Sequence, residues 1–330
     1  MSLLKEVSIV VPTKNRSSWC KRLLNYYSNL DFPGKVIFCD SSDANHYDNL
    51  NEHLKENTNL DVVQLPLPNE SVHFALQVGI ETASKYTKYF VQSGDDDFYS
   101  IKGLISAAEF LSDHSDYVSC LGKSVIAGYS TVRNQFDQQW VRKYGSPRSL
   151  TQSNPNERVF QITSHYYNLE FSLRRTNSGL NVIRNINNFL GSLPFEESTT
   201  AEYCSVIDIA YSGKVKVIAK PFLLRVDHSG RPNRNRLSRD KLMRFRVSQI
   251  ETARRYHLHL QNSEIQGLVD NDYLHAHYEE LKYKIQYKTQ RPTSSRLRIY
   301  KLFARLKGLI LGNFSKIAFQ NYYRQYERAL

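Results

Sequence analysis

Three consecutive aspartates, Asp95, Asp96 and Asp97, are the residues of this chain best suited to do chemistry. They come shortly after the apolar run at 89–91, which has the character of a buried strand. Several carboxylates at the end of one strand repel one another and raise the free energy of the fold. A divalent cation that joins them to a diphosphate turns this repulsion into a binding site. The pattern predicts a metal-dependent enzyme that acts on a phosphorylated sugar or nucleotide.

The elements that must position these acids alternate along the first third of the chain. We predict strands at 7–11, 35–39, 60–65 and 88–92, with helices at 17–30, 47–57 and 72–86. Continuous apolar runs separated by helices indicate a parallel sheet covered on both faces. Ligands of such sheets bind beyond the carboxyl ends of the strands. The polar segments 12–15, 40–43 and 93–97 lie at those ends, so we expect them to form one cleft.

The rest of the chain is less regular. We predict a strand at 117–121, loops with a short helix at 129–165, an edge strand at 169–174, helices at 179–190 and 199–212, and strands at 215–219 and 222–226. Long helices follow at 239–260, 263–286 and 294–319. We therefore place a boundary near 235, which divides the chain into a domain at 1–235 and a basic helical region at 236–330.

Four segments together resemble the GT-A-fold, family-2-like glycosyltransferases. Residues 7–16 read VSIVVPTKNR, like the first strand and turn of that family, and residues 36–43 resemble its second strand with an acid at the tip. Residues 75–80 stand where the family has an Ala-Arg-Asn-x-Gly helix, although Gln77 replaces the usual Asn, and 95–97 resembles its DxD motif. The resemblance covers about residues 7–230. It implies a Rossmann-like, mostly parallel α/β sheet, a nucleotide-sugar donor and inversion at the transferred sugar.

The resemblance also implies roles for the acids. Asp97 would coordinate Mg²⁺ or Mn²⁺ with the donor diphosphate, because both cations favour oxygen ligands. Asp95 would contact the donor ribose or a metal-bound water, while Asp96, on the same donor-binding edge, would point elsewhere. His228 would complete the metal shell. The alternatives are an acidic turn ahead of a helix for the triplet and a structural or surface histidine for His228.

Residues at the first two strand ends would bind the nucleoside. Asp40 would accept a hydrogen bond from the imide N–H of uracil, which favours a UDP-sugar, and Pro12 and Thr13 would line the base and ribose. The alternative for Asp40 is an Asx-turn or helix cap built with 41–43, and for Pro12 and Thr13 it is a strand-ending turn.

An inverting transferase needs a general base for the acceptor hydroxyl. Glu202, near the start of a predicted helix, is aligned by the resemblance with the second acid of the family's Glu-Asp pair. Glu196 and Glu197 are the fallback bases. Capping charge at the helix start is the alternative role for all three.

Composition and charge limit the function classes. The net charge is +12, but residues 281–330 hold twelve Lys and Arg against one acid, so residues 1–280 are nearly neutral. A nucleic-acid-binding protein led by the basic tail is one alternative, and the neutral core disfavours it. A Mg²⁺-dependent nucleotidyltransferase is another, but the turn 12–16 lacks the glycines that hold a triphosphate. Four widely spaced cysteines and the absence of a 20-residue apolar stretch favour a cytoplasmic protein.

The C-terminal tail combines apolar and basic residues at helical spacing. The apolar positions are Ile299, Leu302, Phe303, Leu306, Leu309 and Ile310. Arg298, Lys301 and Arg305 lie on another face, so the segment predicts a helix that binds an anionic membrane surface. The alternative is a helix packed on the core or on a second copy in a homo-oligomer. We expect the acceptor to be a glycan or a lipid-linked glycan of polysaccharide biosynthesis.

Deleting residues 291–330 should release the protein from liposomes that contain phosphatidylserine. Each basic residue near such a surface contributes about 1 kcal/mol, so changing Arg298, Lys301 and Arg305 to Gln together should weaken binding on the order of 100-fold. Co-sedimentation with charged and neutral liposomes measures the effect. Unaltered partitioning of the deletion variant would favour the packed helix instead.

Overall fold

The structure is a computed structural model that describes residues 3–56, 59–130, 135–191, 198–228, 239–264 and 271–290. Its strands are β1 Val7–Thr13, β2 Lys35–Asp40, β3 Asp61–Pro66, β4 Tyr89–Gln92, β5 Phe98–Tyr99, β6 Tyr117–Ser130, β7 Gln135–Tyr144, β8 Leu173–Arg175 and β9 Lys214–His228. Its helices are α1 Ser17–Ser28, α2 Ala44–Glu56, α3 Val72–Ser84, α4 Ile101–Asp113, α5 Pro155–Ser164, α6 Thr176–Gly191, α7 Ser198–Ser212, α8 Arg239–Glu264 and α9 Asn271–Gln290. The α/β class predicted from the sequence is confirmed.

One sheet of nine strands joins these elements, in the order β3-β2-β1-β4-β8-β6-β9-β5, with β7 paired to β6. Strands β3, β2, β1 and β4 are mutually parallel, as are β6 and β9, whereas β8, β5 and β7 run antiparallel to their neighbours. Thr13 pairs with Asp40 in register, and the amide of Ser93 donates to the carbonyl of Val10. The carboxyl ends of β1, β2 and β4 therefore meet at one edge, as predicted.

Apolar side chains on both faces of the sheet are buried. Val7, Ile9 and Val11 of β1 belong to a large core with α1, whereas Val10 of the same strand packs with α3 residues such as Leu76 on the other side. This two-sided burial explains why β1 and β2 read as continuous apolar runs rather than alternating ones. Ser71 and Ser100 begin α3 and α4 by accepting hydrogen bonds from Phe74 and Gly103, respectively.

The middle of the chain differs from the sequence prediction. Residues 129–165, predicted as loops with a short helix, contain β7 as well as the helix α5. The predicted edge strand at 169–174 is the short strand β8, and it lies inside the sheet between β4 and β6. The two strands predicted at 215–219 and 222–226 are one continuous strand, β9. Pairing with distant strands decides all three features, and local apolar patterns do not report it.

Helices α8 and α9 pack against the sheet domain. Ile250, Ala253, Tyr256 and Leu260 of α8 and Tyr278 of α9 belong to the main core. The Tyr256 hydroxyl donates to Asp208 of α7 at 2.6 Å. Among the residues that the structure describes, no helix has the length and hydropathy that crossing a bilayer requires. The predicted boundary near 235 and the predicted tail helix at 294–319 lie outside the described residues.

Gly79 sets how closely α3 approaches the sheet. A Cβ at this position would lie 2.3 Å from Cys39 Sγ and 2.6 Å from Val10 Cγ1. Gly79→Ala should therefore lower the free energy of unfolding by about 1–3 kcal/mol, because overpacking displaces side chains or backbone. Gly191→Ala is the control, since a Cβ added there would meet nothing within 4 Å. Urea denaturation of both variants tests the difference, and equal stabilities would contradict the close approach.

Candidate active site

The aspartate triplet lies in the segment that carries the chain from β4 to β5, at the predicted edge. All three side chains are buried, Asp97 most completely at 1% exposed. Strand β5 pairs with β9, where Phe98 faces Leu224, so the last residues of β9 run past the triplet. This crossing brings the end of the sheet domain, Arg225 to His228, next to the strand ends of the first third.

Asp95 is tied to the turn after β1. Thr13 donates its hydroxyl to Asp95 Oδ2 at 2.9 Å, and Arg16 Nη2 lies 3.2 Å from Asp95 Oδ1. Burial raises the pKa of the Asp95 carboxyl to about 7, and the charge of Asp96 adds to this effect while Arg16 opposes it. Thr13 also contacts the loop after β2, because its carbonyl accepts from the amide of Ser41.

Asp96, which we expected to point elsewhere, lies in the most densely charged part of the site. Its Oδ2 is 2.8 Å from Arg16 Nη2 and 2.9 Å from His228 Nε2. His228 Nε2 is also 3.2 Å from Arg16 Nη2, and the His228 ring stacks on Trp19 with centroids 4.5 Å apart. In the sequence, Arg16 is visible only as the last residue of the segment 7–16. That segment brings Arg16 near the site, but it does not indicate which acids the guanidinium contacts.

Asp97 has different partners. Arg225 Nε donates to Asp97 Oδ2 at 3.2 Å, and the amide of Val226 donates to Asp97 Oδ1 at 3.3 Å. Burial by itself would lower the pKa of Arg225, but Asp97 and the Tyr144 hydroxyl outweigh burial and raise it. The carboxylate thus binds β9 to the β4–β5 segment. The predicted pairing of Asp97 with His228 on a metal stays a prediction.

Asp96 and His228 lie close enough together to share a divalent cation. They offer an oxygen and a nitrogen side by side, both of which Mn²⁺ accepts. In the described part of the chain, no group of three or more His, Cys, Asp or Glu side chains is arranged to hold a metal. The residues fit a cation that arrives with a diphosphate, because phosphates commonly supply several of its ligands.

Asp40, at the end of β2, makes the Asx-turn that is the alternative to a role in base binding. The amide of Ser42 donates to Asp40 Oδ1 at 2.9 Å, and Gln64 Nε2 donates to Asp40 Oδ2 at 2.8 Å. The next acid, Asp43, accepts from the amide of His46 in the first turn of α2. Asp40 nevertheless lies beside Thr13 in the sheet register, at the place predicted for the nucleoside. The hydrogen bond from Gln64, on β3, to Asp40 was not predicted from the sequence.

Glu202, the predicted base, has a tyrosine partner. The Tyr166 hydroxyl donates to Glu202 Oε1 at 2.5 Å, and the Tyr166 ring stacks on Tyr203 with centroids 4.4 Å apart. Burial and the charge of Glu202 both raise the pKa of Tyr166, so its proton stays on the phenol. Glu202 is thereby held in one orientation. The fallback bases Glu196 and Glu197 lie outside the described residues.

A second glutamate, Glu170, lies near Glu202 and was missed by sequence reasoning, because no motif surrounds it. Burial raises the pKa of Glu170 to about 7, Glu202 adds to the rise and Arg174 opposes it. Burial lowers the pKa of the neighbouring Arg174 to about 10. Phe171, which follows Glu170 in the chain, packs against Arg225, whose guanidinium carbon lies 4.5 Å from the ring centroid of Phe171. Arg225 therefore contacts both Asp97 and the segment that carries Glu170.

Replacing Glu170 with Gln should change how stability depends on pH. The folded protein holds a proton on Glu170 up to about pH 7, whereas the unfolded chain loses it near its ordinary pKa of about 4.5, so wild-type stability falls as pH rises between these values. In Glu170→Gln, the free energy of unfolding should decrease between pH 4.5 and pH 8 by about 1–2 kcal/mol less than in wild type. Urea unfolding at pH 4.5 and pH 8 measures it, with Glu109→Gln as an exposed control. Parallel pH profiles for wild type and variant would contradict the raised pKa.

Comparison with known proteins gives matches among solved structures. No protein-family model matches the chain, and no curated protein matches it with statistical significance. Similar structures include S. aureus TarS 1–349, with 16% identity over 87% of this chain and 73% of that one at a TM-score of 0.48. The same form was also crystallised with UDP-GlcNAc. The mannosyltransferase PcManGT from Pyrobaculum calidifontis, in complex with GDP-Man and Mn²⁺, has 14% identity over 98% and 86% of the chains at a TM-score of 0.46.

A third similar structure is GalNAc-T7 with UDP, GalNAc and Mn²⁺, with 10% identity over 83% of this chain and 54% of that one at a TM-score of 0.45. Identities and TM-scores this low do not carry the donors, metals or acceptors of these proteins over to this chain.

Proposed function

We propose that this chain is a glycosyltransferase that moves a sugar from a nucleoside diphosphate to a hydroxyl of a glycan or lipid-linked glycan, with inversion. The observation that carries the proposal is the meeting of Thr13, Asp95, Asp96 and His228 at the carboxyl ends of β1, β4 and β9. Acids and a histidine at the edge of a parallel sheet suit a diphosphate that brings a cation with it.

The donor would lie across this edge. Its nucleoside would occupy the ends of β1 and β2 beside Pro12 and Asp40, and its diphosphate would lie near Asp95 and Asp96. Asp96 and His228 would hold Mn²⁺ or Mg²⁺ together with the phosphates, and the bound cation would stabilise the charge that develops on the leaving diphosphate. The carboxylate of Asp97 would act indirectly, because its contacts with Arg225 and Val226 hold the end of β9 against the donor edge.

The acceptor would be activated by Glu202. In a single displacement the acceptor oxygen forms a bond to the anomeric carbon, the bond from that carbon to the diphosphate oxygen breaks, and Glu202 takes the acceptor's proton. Tyr166 would orient the carboxylate by its hydrogen bond to Glu202 Oε1. We further propose a cytoplasmic enzyme whose basic tail binds the inner membrane surface, which is supported by the charge of residues 281–330.

A binding screen tests the donor part of the proposal. Thermal shift with UDP, GDP, CDP and ADP, each with and without Mn²⁺, should show one nucleoside diphosphate that stabilises the protein, and more so with Mn²⁺, because a ligand that binds the native state raises its stability. Asp96→Asn should lose most of the additional shift given by Mn²⁺. The absence of a shift with every nucleoside diphosphate would reject a nucleotide-sugar transferase.

Glu202→Gln tests the acceptor part. The variant should bind the donor as wild type does and should lose on the order of 100-fold or more in transfer rate, because general base catalysis contributes about 10²–10⁴-fold. Tyr166→Phe should lose less, since it only frees the orientation of the carboxylate. Turnover is followed as release of nucleoside diphosphate, with Glu109→Gln as an exposed control. Near-normal turnover of Glu202→Gln would direct the search to Glu196 or Glu197.

A further inference from the structure

Arg16 occupies the centre of the charged cluster at the donor edge. One terminal nitrogen, Nη2, lies 3.2 Å from Asp95, 2.8 Å from Asp96 and 3.2 Å from His228. The Arg16 side chain is 31% exposed, whereas the Asp95 and Asp96 side chains behind it are 5% and 6% exposed. A ligand that approaches this cluster from solvent therefore meets the guanidinium before it meets the carboxylates.

The backbone turn that directs Arg16 into the cluster is unusual. Asn15 has φ of 56°, in the left-handed region that L side chains rarely adopt. The loop after β2 holds this turn from both sides, because the Asn15 amide donates to Ser42 Oγ at 2.8 Å and the Asp43 amide donates to Asn15 Oδ1 at 2.9 Å. Strained backbone that is fixed by its surroundings commonly occurs at functional sites. Here its consequence is the position of one guanidinium.

Arg16 contacts the two side chains that a divalent cation would use, and it carries the positive charge that a diphosphate would need. Asp96 and His228 are in direct contact, and Arg16 Nη2 lies against both of them. A cation in that place would repel the guanidinium, which would then be free to turn outward. A planar guanidinium binds two phosphate oxygens at once, in a geometry that an ammonium group does not reproduce.

We propose that Arg16 neutralises Asp95 and Asp96 in the donor-free protein and moves onto the donor diphosphate when the donor and its cation bind. This inference rests on the proposed function and adds to it a phosphate-binding residue. Arg16 thus exchanges carboxylate oxygens for phosphate oxygens, and the bound cation replaces it as the positive partner of the acids. Lys14 is the natural comparison, because it carries the same charge in the same turn and is exposed.

Isothermal titration of wild type, Arg16→Gln, Arg16→Lys and Lys14→Gln tests the proposal. The probes are whichever of UDP, GDP, CDP and ADP wild type binds best, with Mn²⁺, and the matching free nucleoside. Arg16→Gln should weaken the diphosphate on the order of 10- to 100-fold and the nucleoside less than about twofold. Arg16→Lys should fall between wild type and Arg16→Gln, and Lys14→Gln should match wild type. An equal loss of affinity for the diphosphate and the nucleoside, or no loss of affinity for the diphosphate, would overturn the proposal.

Manganese binding to the nucleotide-free protein provides a second measurement. Electron paramagnetic resonance of free Mn²⁺ should show tighter binding to Arg16→Gln than to wild type, because Asp96 and His228 are no longer shared with a guanidinium. Weaker or unchanged binding would overturn the exchange. Circular dichroism melting of each variant checks that it is folded. If wild type binds no nucleoside diphosphate, the proposed function fails, whereas binding that is indifferent to Arg16 rejects this inference alone.

Discussion

Burial of three consecutive carboxylates is the constraint on which the rest of the site depends. Removing one partner from a buried ion pair costs about 3–5 kcal/mol, because the remaining charge stays uncompensated. Two arginines that lie far apart in the sequence compensate the charges of these carboxylates. Arg16 in the turn after β1 lies against Asp95 and Asp96, and Arg225 in β9 lies against Asp97. The first turn and the last strand of the domain are thereby fixed relative to the same short segment.

The two arginines divide the triplet into two parts with different partners. Asp97 is almost fully buried, and its oxygens accept from Arg225 and from a backbone amide of β9. Asp96 faces a partly exposed guanidinium and an imidazole at the cleft. Asp96 and Asp97 therefore have different partners, because the turn directs their side chains differently. The acid that is the most deeply buried has the least room for a ligand.

Arg225 also connects the aspartate triplet to the segment that carries Glu170. Its guanidinium binds Asp97 and lies over the ring of Phe171, next to Glu170. Glu170 and Glu202 form a pair of neighbouring carboxylates in different surroundings, since Glu202 accepts from Tyr166 while burial raises the pKa of Glu170. Substitution of Arg225 would therefore remove its contacts with both Asp97 and Phe171.

The sequence by itself determined the parallel half of the fold and the residue types at its edge. Apolar runs such as 7–11 and 35–39 specify buried strands because each run depends mainly on its own segment, and Asp40, Asp95 and Glu202 were identifiable as acids at element ends. Tertiary structure alone decided that β8 lies inside the sheet, that His228 contacts Asp96, and that Arg16 contacts both of these side chains. Strand pairing over long sequence separations and the direction of side chains around a turn are set by packing, which no local pattern records.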